Sequence, residues 1–186
     1  MRLLSFSTSS LDGVYIVNGR PFADARGAFE RFFCSHELGD ILGGRSIVQI
    51  NRSRTSRVGA IRGLHFQHPP AAEMKLVRCV NGRVLDVVVD LRKTSPTFLK
   101  WFAMELSAST SRTLVVPEGC AHGFQVLEPN SELMYLHTNY YASELEGGVR
   151  FDDPRLAIAW PLPVTDISDR DRNHPLIKMD FAGIAL

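Results

Sequence analysis

Two stretches of this chain gather side chains able to move protons. The first is Arg62-Gly63-Leu64-His65-Phe66-Gln67, followed by Pro69-Pro70 and then Lys75. The second is Pro117-Glu118-Gly119-Cys120-Ala121-His122-Gly123-Phe124, followed by Tyr135. An imidazole ordinarily titrates near neutrality, so it can take up and release a proton at working pH. A phenol, with an ordinary pKa of about 10, keeps its proton there, and an ammonium can stabilise a developing oxyanion. Taken singly, each has a plainer reading: a hydrogen-bonded structural histidine, a core or rim aromatic, a solvated lysine.

Spacing adds to type. Strand side chains alternate between faces, so His65 and Gln67 share one face, and Lys75 shares one with Val77 and Cys79. Such a polar set turned inward is costly unless hydrated or used. Nearby, Arg45, Arg52, Arg54, Arg57 and Arg62 follow one another with no acidic residue between them. That run is either a solvated basic face or a phosphate site, because the guanidinium fork matches phosphate oxygens. Nucleic acid is not an expected partner: the stretch supplies no groove-entering helix or stacking aromatics, and a net charge of +1 attracts no polyanion overall.

These side chains must be positioned by strands. Short apolar runs punctuated by turn residues fill the chain: Gly13 to Val17, Ser46 to Asn51, Thr97 to Leu106, Arg112 to Val116, Phe124 to Leu127 and Glu132 to Tyr140. Asn18-Gly19 and Asp24 to Gly27 read as turns. Asn81-Gly82, between Lys75–Val80 and Arg83–Leu91, is a strong signal for a tight β-hairpin. One early helix is expected, from Ser35 as N-cap to Gly43 as terminator. Strands at this spacing with little helix argue for an all-β sandwich or barrel with a few short peripheral helices. The Pro- and Asp-rich segment from about residue 150 should wrap it, within a single domain over 1–186.

Bulk properties exclude several classes. Hydrophobic residues make up 45% and charged residues 22%, as in ordinary globular domains. No apolar run approaches the roughly 20 residues needed to cross a bilayer, and the start, Met1 to Phe6, does not read as a signal peptide. A cytoplasmic protein without membrane partners is expected. Cys34, Cys79 and Cys120 are too few and too far apart for a disulfide framework or a zinc knuckle, and read as reduced thiols.

In their order along the chain, these segments resemble the dTDP-4-dehydrorhamnose 3,5-epimerase family. The resemblance is carried by Arg26-Gly27, Gln49-Ile50-Asn51, Arg62 to Gln67, Lys75 to Cys79, Asp90 to Phe98 and Pro117 to Gly119 with Ala121 to Phe124. It continues through Tyr135 to Tyr141, Gly147-Gly148 with Asp153-Pro154, and Trp160-Pro161. It implies a cupin-type jelly roll, a homodimer with exchanged N-terminal strands, and no cofactor or metal. The implied reaction, in rhamnose-type deoxysugar biosynthesis, epimerises C3, C5 or both in a dTDP-linked 4-keto-6-deoxyhexose. The ketone acidifies the neighbouring C–H bonds, a base removes the proton, and an acid returns one from the opposite face. By resemblance His65 is the base, Asp171 orients it, Lys75 faces the oxyanion and Tyr135 is the acid. Arg26, Gln49, Asn51, Arg62, His122, Tyr140, Glu146 and Arg170 match substrate-binding positions, with Arg26 reaching the partner's site and Arg62 forming a diphosphate fork.

The sequence departs from the family pattern in three places. Arg31 stands where a glutamate is usual, Arg170 where a lysine is usual, and Cys120 replaces a common aromatic, with an expected effect on the pocket wall. Three other readings are open. A metal-dependent cupin would rely on His65 and His122, which make a weak ligand set without a third histidine and a carboxylate. A non-catalytic sugar-nucleotide-binding cupin should have lost the base or the acid, and both are present. A ketoisomerase on the same barrel fits the Arg62 to His65 block less well.

Overall fold

Along Arg83–Asp90 the side chains divide cleanly by face: Val84 and Val88 join one apolar cluster, Val87 and Val89 another, with Asp86 on the Val84 side. That alternation organises the whole molecule. The structure is a computed structural model, and it describes residues 2–186. In chain order its strands are β1 Leu4–Thr8, β2 Tyr15–Gly19, β3 Phe22–Asp24, β4 Gly27–Phe29, β5 Gln49–Thr55, β6 Ile61–Gln67 and β7 Lys75–Asn81. They continue as β8 Arg83–Asp90, β9 Trp101–Ser107, β10 Arg112–Val116, β11 Cys120–Val126, β12 Ser131–His137 and β13 Glu146–Gly148. The helices are short: α1 Gly39–Leu42, a 3-10 turn at Ser143–Leu145, and α2 Asp169–Arg172.

Two sheets face each other as a jelly roll. One runs β1-β2-β10-β7-β12-β5 and the other β13-β6-β11-β8-β9, while β3 and β4 form a separate two-stranded sheet. Between the sheets, Val77, Cys79 and Leu133 meet Val88, Phe124 and Val126. Outside the first sheet, α1 and its N-cap lay Leu38, Ile41 and Leu42 on Leu76 and Leu136. Outside the second, Val149, Leu156 and Ile184 pack on Leu64, Val87 and Val89. Each fully buried Val or Leu contributes roughly 1.5–3 kcal/mol, and their sum sustains a site that buries several carboxylates.

Three local expectations are corrected. Asn81-Gly82 does not close a hairpin: β7 pairs with β10 and β12, while β8 pairs with β9 and β11. The left-handed Gly82 (φ 72°) instead carries the chain from one sheet to the other, because each strand finds better partners far away in sequence. Asn18-Gly19 ends β2 and pairs with β1 rather than turning. The early helix begins at Gly39, with Leu38 rather than Ser35 as N-cap; the left-handed Gly43 does end it. The preceding residues form turns, with Leu38 N–H donating to the Cys34 carbonyl.

Candidate active site

His65 sits on β6 with Gln67, while Leu64 and Phe66 pack outward, so the sequence alternation holds. Its Nε2 lies 2.8 Å from Asp171 Oδ1. A carboxylate accepts only, so the proton of the neutral ring sits on Nε2 and Nδ1 keeps the lone pair. Asp171 lies on the single turn α2, and its N–H donates to the Ser168 N-cap at 3.1 Å. Its other oxygen accepts the Gly63 N–H at 3.0 Å. Burial alone would raise the Asp171 carboxyl. The His65 hydrogen bond, then the Gly63 N–H and nearby positive charge, outweigh it and hold the group well below the usual carboxylate range.

From the opposite sheet come Lys75 on β7 and Tyr135 on β12. All four residues line one cavity of about 840 Å³. Tyr135 exchanges a 2.9 Å hydrogen bond with Ser53 Oγ. Burial drives its phenol well above the ordinary value, with the Ser53 contact pulling the other way. Lys75 Nζ lies 3.2 Å from Glu73 Oε1 and 3.5 Å from the His65 carbonyl oxygen.

Three histidines that line this cavity are each held by a carboxylate. Besides His65 and Asp171, His122 Nε2 lies 2.9 and 3.0 Å from the two oxygens of Asp86, which is completely buried and pushed upward by that burial. His137 Nδ1 lies 2.7 Å from Glu73 Oε2. Burial would raise Glu73, but the His137 hydrogen bond and the Lys75 charge bring it below its ordinary value. His65 and His122 are cross-strand partners whose ring nitrogens go to different carboxylates, not to a common point.

Of the expected binding residues, Asn51, Arg62, His122, Glu146 and Arg170 line the cavity. Asn51 Nδ2 lies 3.4 Å from His137 Nε2. Arg170 bonds Glu146 at 2.9 Å and approaches His65 Nε2 at 3.3 Å. Gln49 and Tyr140 stand outside the lining: Gln49 accepts the Tyr141 N–H, and the Tyr140 side chain is exposed. Arg26 is far out on the β3–β4 hairpin, its side chain 90% exposed and bonded, among the described residues, to Asp24 alone.

The arginine run divides between the two readings. Arg45 pairs with Glu118 outside the cavity lining, whereas Arg52, Arg54, Arg57 and Arg62 all line the cavity; Arg52 and Arg54 meet Glu132, and Arg57 and Arg62 have no acidic partner among the described residues. Arg31 turns to Glu37, whose carboxylate also accepts the Leu3 and Leu4 N–H groups. Cys120 belongs to the core between the sheets, so it does not shape the pocket wall. Burial pushes its thiol up to about 12 and that of Cys79 to about 11, which makes both poor nucleophiles.

Glu73, His137, Ser53 and Asp86 were not picked out from the sequence. Three carried a signal: Glu73 is two residues before Lys75, His137 two after Tyr135, and Ser53 two after Asn51, the spacing of one strand face. Asp86 has no such neighbour among the candidates.

A family model described as dTDP-4-dehydrorhamnose 3,5-epimerase matches residues 8–179. An enzyme of that name from Shigella flexneri is 42% identical over 166 residues, covering 89% of this chain and 91% of its own length. Among solved structures, a dTDP-4-dehydrorhamnose 3,5-epimerase from Bacillus anthracis with TDP and PPi bound superposes with a TM-score of 0.90 at 40% identity, covering 94% of this chain and 99% of its own. A dTDP-6-deoxy-D-glucose-3,5-epimerase from Legionella pneumophila, in complex with dTDP-4-keto-L-rhamnose, gives 0.88 at 36% identity and covers 93% and 92%.

Proposed function

The chain belongs to the dTDP-4-dehydrorhamnose 3,5-epimerase family, and from that premise we propose how its own residues carry the reaction. It is an enzyme of deoxysugar biosynthesis, an isomerase of dTDP-linked sugars. His65 Nδ1 takes the proton beside the C4 ketone, and the C–H electron pair moves into the enolate. The charge arriving on the ketone oxygen is met by the Lys75 ammonium. Tyr135 donates its phenolic proton to the opposite face of the same carbon, which inverts it, and both groups then exchange protons with solvent. Burial keeps the phenol protonated until it is needed. A weakened phenol still protonates an enolate carbon, which is a far stronger base. Asp171 holds the His65 tautomer and stabilises the imidazolium.

One observation carries this reading: His65 on one sheet, held by Asp171 from α2, and Lys75 and Tyr135 on the other sheet line a single cavity. Arg62 and Arg57 supply guanidinium groups for the diphosphate, beside Asn51, His122, Glu146 and Arg170.

The enzyme works as a homodimer. An isolated two-stranded ribbon is marginal in water, yet β3–β4 pairs with no other strand among the described residues and exposes Phe22 and Phe29. A partner subunit would cover it and receive Arg26 in its site. The free Cys34, Cys79 and Cys120 suit a reducing cytoplasm, and no helix among the described residues is long and apolar enough to cross a membrane.

The test is turnover of dTDP-4-keto-6-deoxyglucose in deuterated water followed by NMR. Deuterium at C3, C5 or both is expected. Full retention of hydrogen at both carbons would overturn the assignment.

A further inference from the structure

His174 packs edge-on against His65, with ring centroids 5.5 Å apart. A Cβ at Gly148 would collide with its ring, so glycine at that position makes room for it. Its Nε2 is buried and has no hydrogen-bond partner among the described residues. That nitrogen lies 3.9 Å from Asp171 Oδ1, too far for a hydrogen bond. Asp171 Oδ1 is also the oxygen that meets His65 Nε2 at 2.8 Å. One ligand atom from each of the three residues falls within 4.8 Å of the others.

We propose that His65, Asp171 and His174 form a binding site for a borderline divalent transition-metal ion, Zn²⁺ above all, that silences the enzyme. Tetrahedral zinc with bonds near 2.0–2.1 Å sets its ligand atoms about 3.4 Å apart. The 2.8 and 3.9 Å separations bracket that spacing, so side-chain adjustments of ångström size close the shell and leave the fourth position to water. Two imidazoles and a carboxylate are a ligand set that zinc accepts. The present cation there is Arg170, with Nη2 3.3 Å from His65 and Nε 3.4 Å from Asp171. Its side chain is 55% exposed, so it can swing towards solvent while a dication replaces its charge.

The consequence for catalysis rests on His65 being the base. Metal on Nε2 displaces the ring proton to Nδ1, the nitrogen that must accept the substrate proton. The imidazole stays neutral but loses its free lone pair, and turnover stops without any change of fold.

The experiment uses the full chain after chelator treatment, with Co²⁺ as a coloured probe and Zn²⁺ as competitor. Expected are one Co²⁺ per chain with the strong visible bands of four-coordinate cobalt, displacement by Zn²⁺, and zinc inhibition that a chelator reverses. His174→Ala and His174→Phe, the second keeping a ring against Gly148, should turn over normally without metal. Both should need at least about tenfold more Zn²⁺ for equal inhibition. No stoichiometric Co²⁺ uptake by the wild type, or equal zinc sensitivity in both variants, overturns the site. Uptake that depends on His174 while turnover is untouched keeps the site and instead removes His65 as the base.

Discussion

Asp171 grips His65 and the backbone of the same strand at once: Oδ1 lies 2.8 Å from His65 Nε2, and Oδ2 accepts the Gly63 N–H at 3.0 Å. The two residues are 106 positions apart, and the Ser168 cap fixes the single turn that delivers the carboxylate. The base is therefore oriented from the C-terminal segment, and any change that loosens α2 should reach the chemistry through the carboxylate it carries.

Replacing Asp171 with Asn puts an amide where only an acceptor serves, which favours the wrong tautomer of His65. Turnover should fall on the order of 10³–10⁴-fold with little change in KM, read by steady-state kinetics. The same variant reports on acid stability. The folded carboxyl is held below its unfolded value of about 3.9, so its stabilisation is complete above that pH and is lost as pH falls further. The stability gap between wild type and Asp171→Asn should shrink below about pH 4 in denaturant titrations.

Tyr135→Phe separates the two half-reactions. With His65 intact, hydrogen at the acidic carbon should still wash out into deuterated water, whereas inversion drops by about 10²–10⁴-fold. His65→Ala should abolish both. Equal loss of exchange and inversion in Tyr135→Phe would assign the phenol to the wrong step.

The Tyr135 phenol also makes an alkaline prediction. Its folded pKa is raised by burial, so the folded state holds a proton that the unfolded chain releases near pH 10. The stabilisation is full below that value and is lost as pH climbs towards the folded pKa. Wild type should therefore lose stability above about pH 10 more steeply than Tyr135→Phe, as thermal melts would record.

Glu73 bridges Lys75 at 3.2 Å and His137 at 2.7 Å in a nearly closed setting. Glu73→Gln leaves the Lys75 charge without its partner, and breaking such a buried pair costs about 3 kcal/mol. A lowered denaturation midpoint is expected, together with reduced kcat as Lys75 loses its anchor. A midpoint equal to wild type would show that solvent already screens the pair.

Gly63 has φ 124°, and a Cβ there would sit 2.5 Å from Gly123 Cα and 2.8 Å from the His122 carbonyl oxygen. Both strain and collision oppose any side chain. Gly63→Ala should cost more than about 2 kcal/mol and disturb His65 and His122 together, which a melt and an activity assay on soluble protein would reveal.

Strand alternation is local, and it made much of the site legible. His65 beside Gln67, and Lys75 beside Val77 and Cys79, lie on the faces their spacing implies, because backbone pleat alone decides them. The ordered motifs from Arg26 to Trp160 likewise pointed to the family and hence to Asp171. Partner choice is not local. Asn81-Gly82 has the chemistry of a hairpin, yet β7 and β8 part to opposite sheets, since long-range pairing and burial on both faces outweigh a turn preference of a few residues. For the same reason the Glu73–His137 and His122–Asp86 pairs, 64 and 36 positions apart, and the approach of His174 to His65, arose only when the sheets closed. A sequence can state which side chains share a strand face. Which faces then meet depends on the packing of the whole chain.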